Sequence, residues 1–140
     1  MHDALQKFQT FLKAHSHSCT KVREQIFLAM LDQEPLTMRE LVKKLGDKVD
    51  RASVYRTVHL LESLGVIERL AQGWKYKLEL SDEFSEHHHH ITCLNCGKVV
   101  PIEEVEEIEN LIIQLAKSQG FHSFSHQLEI RGTCSACSMI

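Results

Sequence analysis

Apolar positions in the first half of the chain recur at helical spacing. Residues 3–14 place Ala4, Leu5, Phe8, Phe11 and Leu12 on one face. Thr20, a hydroxyl suited to an N-cap, precedes a second stripe of Val22, Ile26, Phe27, Met30 and Leu31. Thr37-Met38-Arg39-Glu40 reads as a capping box, in which hydroxyl and carboxylate each satisfy the other residue's backbone amide. Leu36 and Leu41 flank it at staple positions, and Gly46 suits the helix exit. Asp50 heads a fourth helix, RASVYRTVHLLESL, with Val54, Val58, Leu61 and Leu64 on its apolar face and Gly65 at its close. VIERL and WKYKLEL then alternate around Ala71-Gln72-Gly73, which predicts a hairpin.

The second half is patterned differently. HHHHITCLNCGKVV reads as strand and turn, PIEEVEEIENLIIQLAKSQG as a helix, and FHSFSHQLEIRG as a strand. In the helix Val105, Ile108, Leu111, Ile112 and Leu115 are expected to face inward, with acids outward and Gly120 at the end. This half is therefore a small α+β arrangement.

At 140 residues, 43% hydrophobic and 25% charged, the chain suits one compact domain or two small ones. No apolar run approaches the roughly 18 residues of a membrane helix. The N-terminal MHDALQKFQTFLKAH lacks a signal-peptide core. A cytoplasmic protein without membrane contact is the expectation. The charge is uneven. Residues 1–80 carry 13 Lys+Arg against 10 Asp+Glu, a balance of +3, while residues 81–140 carry 3 against 9, a balance of −6. The halves thus read as two small domains with different tasks, joined near Ser81–Glu86.

A short capped helix, a tight turn, a second helix with a polar N-terminal surface and then a hairpin is the order of a winged helix-turn-helix. In that fold the second helix enters the major groove, N-terminal residues towards the base edges. Arg51, Ser53, Tyr55 and Arg56 crowd those turns and are the candidate DNA-contacting residues. The plainer alternative leaves Arg51 and Arg56 as solvated surface and Tyr55 in the core. A balance of +3 is weak for a nucleic-acid binder, but a dimer would double the phosphate contacts.

The chemistry of the second half points to metal. Cys93-Leu94-Asn95-Cys96 and Cys134-Ser135-Ala136-Cys137 are separated by 37 residues. Each pair brings two thiolates to one ion, and two pairs complete a tetrahedral four-sulfur shell with no open position, which marks a structural zinc. The ion would clamp the domain's terminal strand against its first. A redox pair would instead open a helix of a thioredoxin-like unit. Cys19 stands apart and reads as a small buried residue. Ten histidines is a high count, and four are consecutive. On a strand His87 and His89 share one side, and His88 and His90 the other, so the run can serve two ion sites. Candidate partners are His122, His126 and the helix acids downstream, with Glu79 and Asp82 upstream.

Together these residues resemble the ferric uptake regulator family of bacterial metal-responsive repressors. Ala52-Ser53-Val54-Tyr55-Arg56 is similar to that family's recognition-helix signature A-[ST]-V-Y-R. His87–His90 followed by Ile91-Thr92-Cys93-Leu94-Asn95-Cys96-Gly97-Lys98-Val99 matches its H-H-[DH]-H-x-x-C-x-x-C-G-K hallmark, and Thr20 and Arg23 match a Thr-x-x-Arg. The resemblance implies an N-terminal winged helix-turn-helix domain over 1–83 and a small α/β dimerisation domain over 84–140, α+β in class. It implies a homodimer on a palindromic, AT-rich double-stranded operator, with Tyr55 touching bases and Arg56 backbone or bases.

The resemblance also implies Zn2+ at Cys93, Cys96, Cys134 and Cys137, and a regulatory divalent ion, Zn2+ or Fe2+. One regulatory set would be His87, His89, Glu109 and His126, with Glu106 a rival one turn earlier; His89 stands where many members carry Asp. A second, at the hinge, would use His88, His90 and Glu79. There the chain departs from the family: Pro35 replaces the usual histidine before the third helix, and Pro101 the usual acid after G-K-V. Glu34, Asp82 or Glu103 would then be substitutes. Nitrogen-rich ligation favours zinc, nickel or cobalt over manganese.

Two other classes compete. A zinc hydrolase lacks support, because H-E-x-x-H is absent and no other catalytic arrangement is legible. A zinc-binding storage or interaction protein that never touches DNA is the alternative to a repressor.

Overall fold

The computed structural model describes residues 2–72, 75–86, 88–122, 124 and 126–138. The chain divides into two units, residues 1–86 and 87–140.

The first unit opens with three helices, α1 (His2–Ala14), α2 (Lys21–Met30) and α3 (Met38–Leu45), followed by a 3-10 turn over Gly46–Lys48 and α4 (Arg51–Ser63). The starts follow local chemistry. Thr20 Oγ1 accepts from Arg23 N at 3.3 Å. At α3, Glu40 N donates to Thr37 Oγ1 at 3.1 Å and Thr37 N donates back to Glu40 Oε2 at 3.4 Å, completing the capping box. At α4, Ser53 N donates to Asp50 Oδ1 at 2.8 Å. That helix closes where Gly65 adopts φ 79°, with Gly65 N bonded to Glu62 O and Val66 N to Leu61 O, a Schellman ending that a side chain would strain.

Strands β1 (Ile67–Gln72) and β2 (Lys75–Leu80) form the antiparallel hairpin. Its ladder runs through Gln72↔Lys75, so Ala71 and Gln72 belong to the strand rather than the turn. The Gly73 assigned to the turn lies outside the described residues. Leu36 bridges Leu78, tying the entry of α3 to the hairpin.

These elements close over one core. Phe8, Leu12, Ile26, Phe27, Leu41, Val54, Val58, Leu61 and Leu78 are fully buried. Phe8 and Phe27 stack at 4.3 Å, and Phe84 meets both edge-on, which fastens the end of the unit to its first two helices.

The second unit holds β3 (His89–Cys93), β4 (Val99–Ile102), α5 (Glu106–Ser118), β5 (Glu129–Gly132) and a short α6 (Ser135–Ser138). The sheet order is β4-β3-β5, with β4 antiparallel and β5 parallel to β3. Three expectations are corrected. Residues 101–105 are not helical: Pro101 and Ile102 complete β4, an edge strand, where a missing N–H costs no ladder bond. The last strand spans four residues rather than twelve, so His126 precedes it. Most of the stripe of α5 does not face inward: Leu111 and Leu115 are each 66% exposed, Val105 and Ile108 are exposed too, and Ile112 is half-buried. Only Glu109 of that helix is buried. Helical periodicity identifies a stripe without identifying what covers it.

Burial in this unit is unusual. Among the described residues, Cys93 and Val99 are the buried apolar side chains, alongside His89, His90, Thr92 and Glu109. Among the described residues, the exposed large apolar side chains other than Tyr55 all lie here. A fold so poor in apolar core needs metal or another surface to hold it.

Candidate metal centres and nucleic-acid face

The cysteine cluster is assembled by sheet topology. β3 ends on Cys93, and Gly97 at φ 75° turns the chain so that Gly97 N bonds Cys93 O at 2.9 Å, leaving Cys96 on the knuckle. The parallel register sets Cys93 opposite Gly132, which delivers Cys134 and, one helical turn on, Cys137. The four Sγ atoms lie within 4.8 Å of one another, with Cys96 and Cys134 3.9 Å apart. Disulfide sulfurs sit about 2.05 Å apart. Sulfurs 2.3 Å from a tetrahedral zinc lie roughly 3.8 Å apart, which these match.

The electrostatics suit thiolates. Hydrogen bonds from the backbone N–H of Cys96 and of Cys134, the latter at 3.3 Å, bring the Cys93 pKa down to about 6. Cys137 is moved the other way: its bond with the Asn95 side chain lowers it, but bonds with Cys134, Cys96 and Cys93 and partial desolvation outweigh that and push it up to about 11. Four sulfurs this close do not all ionise unaided, so zinc entry must displace protons. Asn95 was not singled out from the sequence. The C-x-x-C knuckle itself was the available signal, since it brings Asn95 beside the sulfurs.

A second cluster forms at the other end of β3. His89 Nε2 hydrogen-bonds Glu109 Oε1, and Glu109 Oε2 lies 2.8 Å from His126 Nε2. Ligand atoms of all three are within 4.8 Å of one another. His89 is 3% and Glu109 6% exposed, so a carboxylate and two imidazoles converge in a largely dry site. Glu109 thus faces the histidines, whereas Glu106, its rival, is exposed. His87 lies outside the described residues.

His88 and His90, the opposite pair, meet with ring centroids 4.6 Å apart, as strand alternation requires. Glu79 lies half-buried on β2 of the first unit. Pro35 is buried and Pro101 stands opposite His90 in the β3–β4 register. Among the remaining acids, Glu34, Asp82 and Glu103 are exposed, and so is His122.

On α4 Val54, Val58 and Leu61 are fully buried, and Arg51, Tyr55 and Arg56 at its start are turned to solvent. Tyr55 is 41% exposed, which removes it from the core. Arg51 stacks over its ring at 5.6 Å. Ser53 Oγ donates to Asp50 Oδ2 at 2.7 Å and accepts from Arg56 Nη2 at 3.2 Å. The cap therefore orders Ser53 and Arg56 together, beside Arg51 and Tyr55.

The ferric uptake regulator family matches residues 14–131. The chain belongs to that family. A ferric uptake regulation protein of Bacillus subtilis is 30% identical to it, covering 98% of this chain and 96% of its own length. Among solved structures, the Helicobacter pylori ferric uptake regulator, described with three functional metal-binding sites, superposes with a TM-score of 0.76 at 26% identity over 98% of this chain and 93% of that one. The Vibrio cholerae ferric uptake regulator, whose DNA-binding domains rearrange, superposes with a TM-score of 0.68 at 30% identity over 88% and 96%. This member of the ferric uptake regulator family is a metal-responsive transcriptional regulator. Its family consists of DNA-binding regulators that act as dimers, not of enzymes. No helix is long and apolar enough to cross a membrane among the described residues.

Proposed function

We propose that this chain is a cytoplasmic, homodimeric repressor of zinc- or iron-uptake genes that binds its operator when a regulatory divalent ion occupies His89, Glu109 and His126, with His87 completing the shell. The observation that carries the reading is the convergence of that carboxylate and those two imidazoles in a cluster where His89 and Glu109 are buried and His126 is half-buried. Three nitrogens and one oxygen, His87 included, suit Zn2+ first and Fe2+ second. Cys93, Cys96, Cys134 and Cys137 hold the structural zinc, and His88 and His90 supply a second regulatory ion.

The exposed apolar side chains of the second unit, among them Ile91, Val100, Ile130, Leu111 and Leu115, support a homodimer formed there. Tyr55 then meets base edges and Arg56 backbone or bases, with Arg51 and Ser53 at the same DNA-facing surface, in each half of a palindrome. When bound, the ion supplies a charge-neutralising cross-link between β3, α5 and the segment before β5. An ion favouring the DNA-competent shape shifts the population towards it.

The test is operator affinity against buffered free Zn2+ and Fe2+, in wild type and Glu109→Gln. Activation by one ion, lost or shifted to roughly 10-fold or more higher ion concentration in the variant, supports the reading. Operator binding that ignores both ions in wild type, or activation unchanged in Glu109→Gln, overturns it.

A further inference from the structure

The two metal-capable clusters of the second unit share one support. β3 supplies His89 to one and Cys93, four residues on, to the other; the segment through β5 supplies His126 and Cys134 in the same order. Because these strands run parallel, His89 and His126 fall at one end and Cys93 and Cys134 at the other. A parallel pair has no connecting turn to fix its register, and here β4 and α5 intervene. β5 is also an edge strand of four residues with a single neighbour.

The backbone holds its two ends unequally. At the cysteine end Leu94 N donates to Gly132 O at 2.7 Å, whereas at the histidine end His90 N reaches Leu128 O at 3.4 Å. What reinforces the histidine end is a side-chain clip. Thr92 Oγ1, buried on β3, donates to Glu129 Oε1 at 3.1 Å, and Arg131 Nη2 donates to Glu129 Oε2 at 3.0 Å. Hydrogen bonds to a carboxylate are the strong, directional kind. Glu129 is the first residue of β5, three after His126, so the clip anchors the chain just where it leaves the ion cluster.

We propose that Thr92 and Glu129 are positioning residues for the regulatory ion: they fix the register of β5 on β3 and so hold His126 at ligand distance from Glu109 and His89. Neither touches the ion. The inference rests on the assignment of His89, Glu109 and His126 as the regulatory site.

The experiment uses the full chain loaded with its thiolate-bound zinc and titrates Co2+, whose visible absorption band reports ligand geometry. Thr92→Val, Thr92→Ser, Glu129→Gln and His126→Ala are compared, with zinc content and thermal melting recorded for each. Thr92→Val is expected to weaken Co2+ about 10-fold and alter the band, with one zinc per chain retained, because supporting groups of metal ligands carry about that weight. Thr92→Ser, which keeps the hydroxyl, is expected to restore both, and Glu129→Gln to fall between. Wild-type affinity and band in both Thr92→Val and Glu129→Gln would overturn the proposal. So would loss of zinc together with Co2+ in both, since the clip would then merely hold the unit together. A wild-type Co2+ band indifferent to His126→Ala would overturn the site assignment and this inference with it.

Discussion

Replacing Tyr55 by Ala separates DNA recognition from folding and from metal binding, and its size can be worked out. Tyr55 is 41% exposed, and its neighbours on the buried face of α4, Val54 and Val58, are untouched by the change. The folding loss includes the Arg51 stacking contact at 5.6 Å, worth about 0.5–1 kcal/mol at an exposed position. The effect on an operator is larger. A side chain reading a base edge contributes about 1–3 kcal/mol, and a homodimer presents two copies, so roughly 2–6 kcal/mol is lost. At about 1.4 kcal/mol per factor of ten, that weakens Kd by roughly 30-fold to more than 10,000-fold. The assay is fluorescence anisotropy of a labelled operator at fixed salt and saturating metal, with zinc content and melting measured in parallel; fixed salt matters because phosphate contacts make affinity ionic-strength dependent. A folded, zinc-loaded Tyr55→Ala chain that binds operator as tightly as wild type would refute the placement of α4 in the groove. Failure of the wild-type chain itself to bind operator would favour a metal-storage protein instead.

The remaining predictions concern the scaffold. Leu41→Ala, at a fully buried position of the first unit, is expected to cost about 2–5 kcal/mol and to lower the thermal midpoint by about 8 °C or more, checked by calorimetry. Asp50 sits below its ordinary pKa because the backbone N–H of Ser53, then the Ser53 hydroxyl, bind its charged form. A depressed folded value means this stabilisation is complete above the unfolded pKa, near about 4, and is lost as pH falls through the folded one. Asp50→Asn keeps the cap acceptor but does not titrate, so denaturant melts between pH 5 and pH 3 should show a shallower acid loss than wild type. Cys93→Ser is expected to release one zinc per chain and to loosen the dimer in sedimentation, because the second unit buries so little apolar surface of its own. An unchanged dimer would show that zinc and association are independent.

Much of the first unit was legible because its signals are local. A capping box, an Asp N-cap and a Gly ending each act within four residues, and Thr37, Asp50 and Gly65 do in the structure what their positions imply. The cysteine cluster was legible for a similar reason, as spacing and chemistry alone bring paired sulfurs together. Tyr55 was ambiguous until the neighbouring Val54 and Val58 filled the core.

The second unit was harder to read. Pro101 lies in a strand because β4 is an edge, a fact of sheet order that no local pattern carries. The stripe of Leu111 and Leu115 was read correctly as apolar but wrongly as internal, since exposure depends on what else is present. Glu106 and Glu109 could not be separated until the helix start at Glu106 set the phase that turns Glu109 towards His89 and His126.

In the proposed mechanism, ion binding at His89, Glu109 and His126 and DNA binding at α4 are two faces of one equilibrium. Linkage requires that whatever factor the ion adds to operator affinity, operator must add to ion affinity. The direct measurement is regulatory-ion affinity in the zinc-loaded dimer, with and without saturating operator, beside operator affinity with and without the ion. Equal factors are expected, both abolished together in Glu109→Gln. Ion affinity unmoved by operator, or equal factors surviving in that variant, would contradict it.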